Sequence, residues 1–203
     1  MIRRLFRRQK SRPLTEAELA HRLIDPGYAC TCCGEVLNAA AGAVWPTAPF
    51  GWTNPPAPYP DDAFDTAGRD VLTENYARRG GDTLLRAYLP IPVQGTETQV
   101  FLGVWCSLKV GNHARFRSAQ ARGDADRMGD MFSWLYTQLP AMTGPLLTEG
   151  VLTPYSQGRL PLYWITAEKH PLYRAQQDGL TASEILALYR DMGCGDLVDH
   201  LIA

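Results

Sequence analysis

The residues whose types and spacing could do chemistry lie near the start of the chain, in Tyr28-Ala-Cys-Thr-Cys-Cys-Gly-Glu-Val-Leu37. Cys30 and Cys33 have the C-x-x-C spacing, with Gly34 behind them. Such a knuckle lets two thiolates and the nearby backbone amides face one tetrahedral ion. This is half of a zinc site. No other C-x-x-C and no Cys/His pair occurs, so the second half would come from single residues: Cys32 beside it, Cys106, His113, His170 or Cys194. Three readings stay open, namely a structural zinc knuckle completed from afar, a redox dithiol, and reduced, partly buried cysteines in a turn. The motif precedes no βαβ unit, which weighs against the redox dithiol.

His170 is the second candidate. It lies in Glu168-Lys-His-Pro-Leu172, between a predicted strand and a proline. A histidine so placed is a hydrogen bonder at a turn, or a further ligand or site residue for the cysteines. A general base needs a partner, and the nearness of Glu168 and Asp178 in sequence does not place them in one pocket.

The elements that must position these residues centre on Leu89 to Leu108, two apolar arms rich in β-branched and aromatic residues around a polar bend at Gln94 to Gln99. This predicts a β-hairpin. Its second arm, Val100 to Leu108, is nearly continuously apolar, which a strand tolerates when both faces are covered. Further strands are expected at Leu146 to Thr153 and Leu160 to Glu168, and a helix or strand at Asp70 to Arg79. Val110 to Gln120 reads as a helix anchored by Phe116, and Met131 to Leu139 as a second short amphipathic segment stopped by Pro140. Capping boxes at Thr15 to Glu18 and Thr181 to Glu184 open two more helices. The expected fold is α+β: a mostly antiparallel sheet built round the central hairpin, with short helices packed against it.

Between Ala39 and Asp65 six prolines interleave with Trp45, Phe50, Trp52, Tyr59 and Phe64. Proline at that density forbids helix interior and central strand. The rings of Trp45, Phe50, Trp52 and Tyr59 are the candidate binding surface. Their competing role is to staple a long loop onto the sheet.

At 203 residues, with 45% hydrophobic and 10% aromatic residues, the chain can fill a core of its own. No apolar run approaches the roughly 18 to 20 residues of a spanning helix. The net charge of -1 conceals a basic start: Met1 to Arg12 holds six of the 20 basic residues and none of the 21 acidic ones. Such a tail suits a phosphate-contacting arm for nucleic acid or an interfacial segment, and we read it as a solvated terminus. No apolar core of a secretory signal follows it, so the expected compartment is the cytoplasm. The division expected is a basic extension with a short helix over 1–27 and a single α+β domain over 28–203. G-x-G-x-x-G, P-loop, G-x-S-x-G and H-E-x-x-H signals are absent.

The order of blocks resembles the bacterial family called domain of unknown function 2199. The blocks are Tyr28-Ala-Cys-Thr-Cys-Cys-Gly-Glu; the hairpin ending Gly103-Val-Trp-Cys-Ser-Leu108; Phe132-Ser-Trp-Leu135 with Leu139-Pro140; then Glu168-Lys-His-Pro-Leu172, Gln176 and Gly179-Leu-Thr181. The resemblance runs from Tyr28 to the final helix and implies no established activity. In the family the C-x-x-C-G element is typically followed closely by a histidine, where this chain has Val36 and Leu37. Two functional readings result. One is a small cytoplasmic binding or interaction module with a protein or small-molecule partner, immunity-like or accessory in role. The other is a metalloprotein or enzyme, with structural zinc as its cofactor, using Cys30, Cys33 and His170.

Overall fold

The computed structural model describes residues 12–37, 39, 49, 52, 58–65, 70–139, 142, 144, 147–155 and 159–203. The hairpin forms as strands β3 (Asp82–Pro92) and β4 (Gln99–Leu108), in antiparallel register from Thr83↔Leu108 to Pro92↔Gln99. Side chains of a strand alternate between faces. Leu85, Ala87, Leu89 and Ile91 with Val100, Leu102, Val104 and Cys106 therefore enter the main core. On the opposite face Trp105 and Leu84 join Leu72 and Ala77 in a smaller buried cluster, against which Trp52 and Tyr136 pack. Both faces of β4 are thus covered around Trp105, which accounts for its unbroken apolar run.

The sheet departs from the expected one in its closure. Strands β1 (Val71–Leu72) and β2 (Tyr76–Arg79) extend antiparallel from the first half of β3. On the other side β4 meets β5 (Met131–Leu135) at Cys106↔Leu135, and β5, β6 (Thr148–Thr153) and β7 (Leu162–Ile165) follow as an antiparallel meander. β7 then returns to β3 in parallel, at Tyr88↔Leu162. Strands β3 to β7 consequently form a closed, mixed five-stranded barrel rather than a simple antiparallel sheet. The physical reason is the length of β3: β2 occupies its edge only as far as Leu85, and the remaining edge accepts β7.

One backbone pair is a thin seam, and a side chain reinforces it. Gln176, buried on helix α3 (Pro171–Asp178), accepts from the Ile165 N–H at 2.8 Å and donates to the Tyr163 carbonyl at 2.9 Å and the Pro90 carbonyl at 3.4 Å. It thereby satisfies backbone groups that have no ladder partner where the two strands diverge.

The amphipathic segment after Met131 is strand β5, its buried residues alternating as a strand's do. Helices α1 (Glu16–Ile24) and α4 (Ala182–Asp191) start at the two predicted capping boxes, both of which form completely. Helix α2 (Val110–Arg122) buries Phe116 as expected, and α5 (Gly195–Ile202) closes the chain. Leu23 of α1 is fully buried in the main core, so the first helix is packed with the domain. Among the described residues no helix is long and apolar enough to cross a membrane.

Candidate metal centre

The knuckle is built by its own backbone. An antiparallel bridge joins Ala29 to Val36, and Cys30 N–H donates to the Glu35 carbonyl at 2.7 Å. Gly34, at φ +78°, takes the left-handed conformation that turns the chain, and its N–H donates to the Cys30 carbonyl at 2.8 Å. The Cys32 N–H points at Cys30 Sγ, 3.4 Å away. Cys30 is buried while Cys32 and Cys33 are exposed.

The fourth donor comes from the other end of the chain. Helix α5 buries Val198 and Leu201, three residues apart on one face, and this docking brings His200, on the flank of that face, to the thiols. Its Nδ1 lies 3.4 Å from Cys30 Sγ, 3.5 Å from Cys32 Sγ and 3.6 Å from Cys33 Sγ. All four donor atoms lie within 4.8 Å of one another. The neighbours hold the helix in place: Arg22 of α1 donates to the Leu201 carbonyl at 2.8 Å, and the Thr31 hydroxyl donates to the Ala203 carbonyl at 3.0 Å. The Arg22 guanidinium also lies over the Tyr28 ring, 5.3 Å from its centroid.

Zinc bonds of about 2.3 Å to sulfur and about 2.05 Å to nitrogen give a tetrahedron whose S···N edges are about 3.6 Å. The three S···Nδ1 separations are already of that length. Cys30 and Cys32 Sγ stand 2.9 Å apart. They would open by about 1 Å to the S···S edge of the same tetrahedron. The protonation balance suits this. The hydrogen bond from the Cys32 thiol, helped by the backbone of Cys32 and by His200, pulls the Cys30 thiol down to about 6. The hydrogen bond with Cys30 pushes Cys32 up to about 11. The hydrogen bond to Cys30 raises His200. Metal binding would displace the thiol protons that remain.

Of the predicted site residues, Cys30, Cys32 and Cys33 are brought together, and His200 stands where His170 was expected. His170 caps α3, its Nδ1 accepting from the Leu172 N–H at 3.1 Å, and Gly144 lies directly against its ring. Its geometry is that of the turn hydrogen bonder. Cys106 is fully buried in the barrel and donates to the Leu85 carbonyl at 3.4 Å; burial pushes its thiol up. His113 is buried beside the rings of Phe64 and Tyr76. Cys194 occupies the N-cap position of α5 without a side-chain hydrogen bond to the helix. In the aromatic loop, Trp45 and Phe50 lie outside the described residues. Trp52 packs on the Trp105 cluster, and Tyr59 is 51% exposed, its N–H donating to the Leu72 carbonyl at 2.9 Å.

The pattern of the bacterial family described as an uncharacterized protein conserved in bacteria (DUF2199) matches residues 29–180. The chain belongs to this family. The DUF2199 match takes in the knuckle, the barrel strands and Gln176, and stops before α5 and His200. No curated protein and no solved structure matches the chain.

Proposed function

We propose that the protein is a small bacterial binding module whose two ends are clasped by one structural zinc ion, held by Cys30, Cys32, Cys33 and His200. A single observation carries this reading: three sulfurs and an imidazole nitrogen converge from segments 167 to 170 residues apart with S···N separations of 3.4 to 3.6 Å. Four protein donors leave no open position for substrate or water, which is the mark of a structural site and not a catalytic one. Five free cysteines accord with a reducing compartment such as the cytoplasm. His170, which an enzyme built on the knuckle would recruit, spends its Nδ1 on capping α3.

The test is metal analysis by mass spectrometry on protein purified without added zinc. One zinc per chain in the wild type and none in His200→Ala is the expected result. Metal-free wild type whose melting is indifferent to added zinc and to chelator would overturn the reading.

A further inference from the structure

The three thiols of the knuckle are unequal, and the inequality gives the site a second chemistry. Cys30 is buried, whereas Cys32 and Cys33 face solvent. The turn sends the Cys30 side chain across the knuckle, where its Sγ meets the Cys32 N–H at 3.4 Å and the Cys32 Sγ at 2.9 Å. The backbone bonds from Cys30 to Glu35 and from Gly34 to Cys30 fix that turn. An open sulfur thus stands directly against a sheltered one. Cysteines that respond to oxidants are arranged in this way, an accessible thiolate to meet the oxidant and a resolving thiol beside it. A link from Cys32 to Cys33 would instead have to close a ring across a single planar peptide, which resists it.

We propose that Cys30 and Cys32 are a redox-sensitive pair through which a hydroperoxide opens the zinc clasp, joining the two sulfurs in a disulfide and expelling the ion. The inference rests on the zinc reading and assigns the regulation of that same site. Zinc holds its cysteine ligands as thiolates, the nucleophilic form of the side chain. The exposed Cys32 thiolate attacks the terminal oxygen of the hydroperoxide; the O–O bond breaks, the other oxygen leaves as its anion, and Cys32 becomes a sulfenic acid. The Cys30 thiolate then attacks the Cys32 sulfur, and the S–S bond forms as the S–O bond breaks and hydroxide leaves. Two electrons pass from the two sulfurs to the peroxide oxygens, solvent protonates the leaving oxygens, and zinc departs unreduced as the divalent ion.

Metal loss follows from the ligand count. A disulfide sulfur is no longer a thiolate, so Cys33 and His200 alone remain of the four donors, and two donors do not close a tetrahedral site. With the ion gone, α5 loses one of the ties between its His200 and the knuckle, while the packing of Val198 and Leu201 and the Arg22 and Thr31 hydrogen bonds stay. Oxidation therefore reads out as a loosened C-terminal helix on an intact barrel.

The experiment treats the full chain, as purified with its zinc, with rising hydrogen peroxide. A chromogenic chelator reports free zinc, differential thiol labelling with tandem mass spectrometry assigns the disulfide, and amide exchange follows α5. One zinc per chain should be released in step with the loss of two thiols. The label applied before reduction should fall on Cys33, and the label applied after reduction on Cys30 and Cys32. Exchange in α5 should quicken, and dithiothreitol with zinc should restore the starting state. Cys194→Ser, at a half-buried thiol outside the knuckle, should respond as the wild type does. Zinc retained under peroxide treatment that fully oxidises free cysteine, a link through Cys33 or Cys194, or sulfinic acid in place of the disulfide would each overturn the proposal. Protein that holds no zinc before peroxide is added would overturn the zinc reading and this proposal with it, whereas zinc-loaded protein that keeps its metal overturns this proposal alone.

Discussion

The zinc clasp makes a prediction that separates four donors acting as one unit from four side chains that merely lie together. The perturbations are Cys33→Ser, His200→Ala and the double variant. These two positions suit the purpose because Cys33 is exposed and His200 half-buried, so neither truncation opens a core cavity. Cys30 is 2% exposed, and its replacement would mix metal loss with packing loss. A ligand that binds only the folded state stabilises it by its excess over the dissociation constant. About a thousandfold excess of free zinc is then worth roughly 8–16 °C of melting temperature for a chain of this size. Each single variant should lose nearly all of that shift, because a tetrahedral site missing one donor is largely lost. The double variant should lose no more than either single. The assay is thermal melting of the four proteins by circular dichroism, with excess zinc and with chelator, where chelator should bring the wild type down to the variants. Independent contacts would instead give additive losses. Additive losses together with no response to chelator would refute the reasoning.

Four further outcomes are expected. Trp105→Ala should cost about 3–5 kcal/mol in denaturant unfolding, because the ring is fully buried between β4 and the outer cluster; a variant that unfolds with the wild type would show the strand not to be central. Gly150→Ala should cost roughly 1–3 kcal/mol or more, since a Cβ there would stand 2.4 Å from the Tyr163 ring and 2.6 Å from the Trp164 carbonyl, and wild-type stability by the same assay would contradict it. Burial holds His113 down at about 4, below its unfolded value of about 6.5, so its contribution is intact above pH about 6.5 and lost as pH falls towards about 4, up to roughly 3 kcal/mol. His113→Phe should narrow the loss of stability over that window, and an identical pH profile for variant and wild type would exclude the effect. Deleting Met1 to Arg12 should leave the melting temperature unchanged, because the stretch has too few apolar residues to anchor a packed element and the Arg12–Glu18 pair lost with it is solvent-exposed, the kind of contact worth little; a fall of several degrees would show the tail to be structural.

The parts of the fold that were legible in the sequence are those written in local chemistry. Thr15 with Glu18 and Thr181 with Glu184 carry their helix starts within four residues. The period of the apolar residues around Gln94 to Gln99 marks two strands and a turn. Barrel closure was not legible, because it rests on one parallel pair, Tyr88↔Leu162, and on a glutamine. Gln176 stands in a short helix where any polar residue could stand, and nothing around it marks it as a bridge to Ile165, Tyr163 and Pro90. The alternation in Met131 to Leu135 was present, but the stretch follows a helix and is too short for its period to decide between elements.

The site divides in the same way, and its division bears on what the clasp does. Cys30 and Cys33 announce themselves by spacing. His200 carries no signal at all, being an ordinary flank residue of an amphipathic helix 167 residues beyond Cys33. In the family resemblance a histidine closely follows the C-x-x-C-G element, and a fourth donor so near would make the knuckle a self-contained local loop. Here Val36 and Leu37 occupy that stretch, Val36 being 62% exposed and Leu37 buried, and the imidazole arrives instead from α5, beyond the matched residues 29–180. A distant fourth donor, as in the proposed set, would change what an ion can hold together. A local ion rigidifies one turn, whereas an ion shared between Cys30 and His200 would close a loop of 170 residues, and the entropy removed from the unfolded state grows with the length closed. With the proposed ligand set, the docking of α5, through Val198, Leu201 and the Arg22 and Thr31 hydrogen bonds, would be a condition for metal binding and not only a consequence of it.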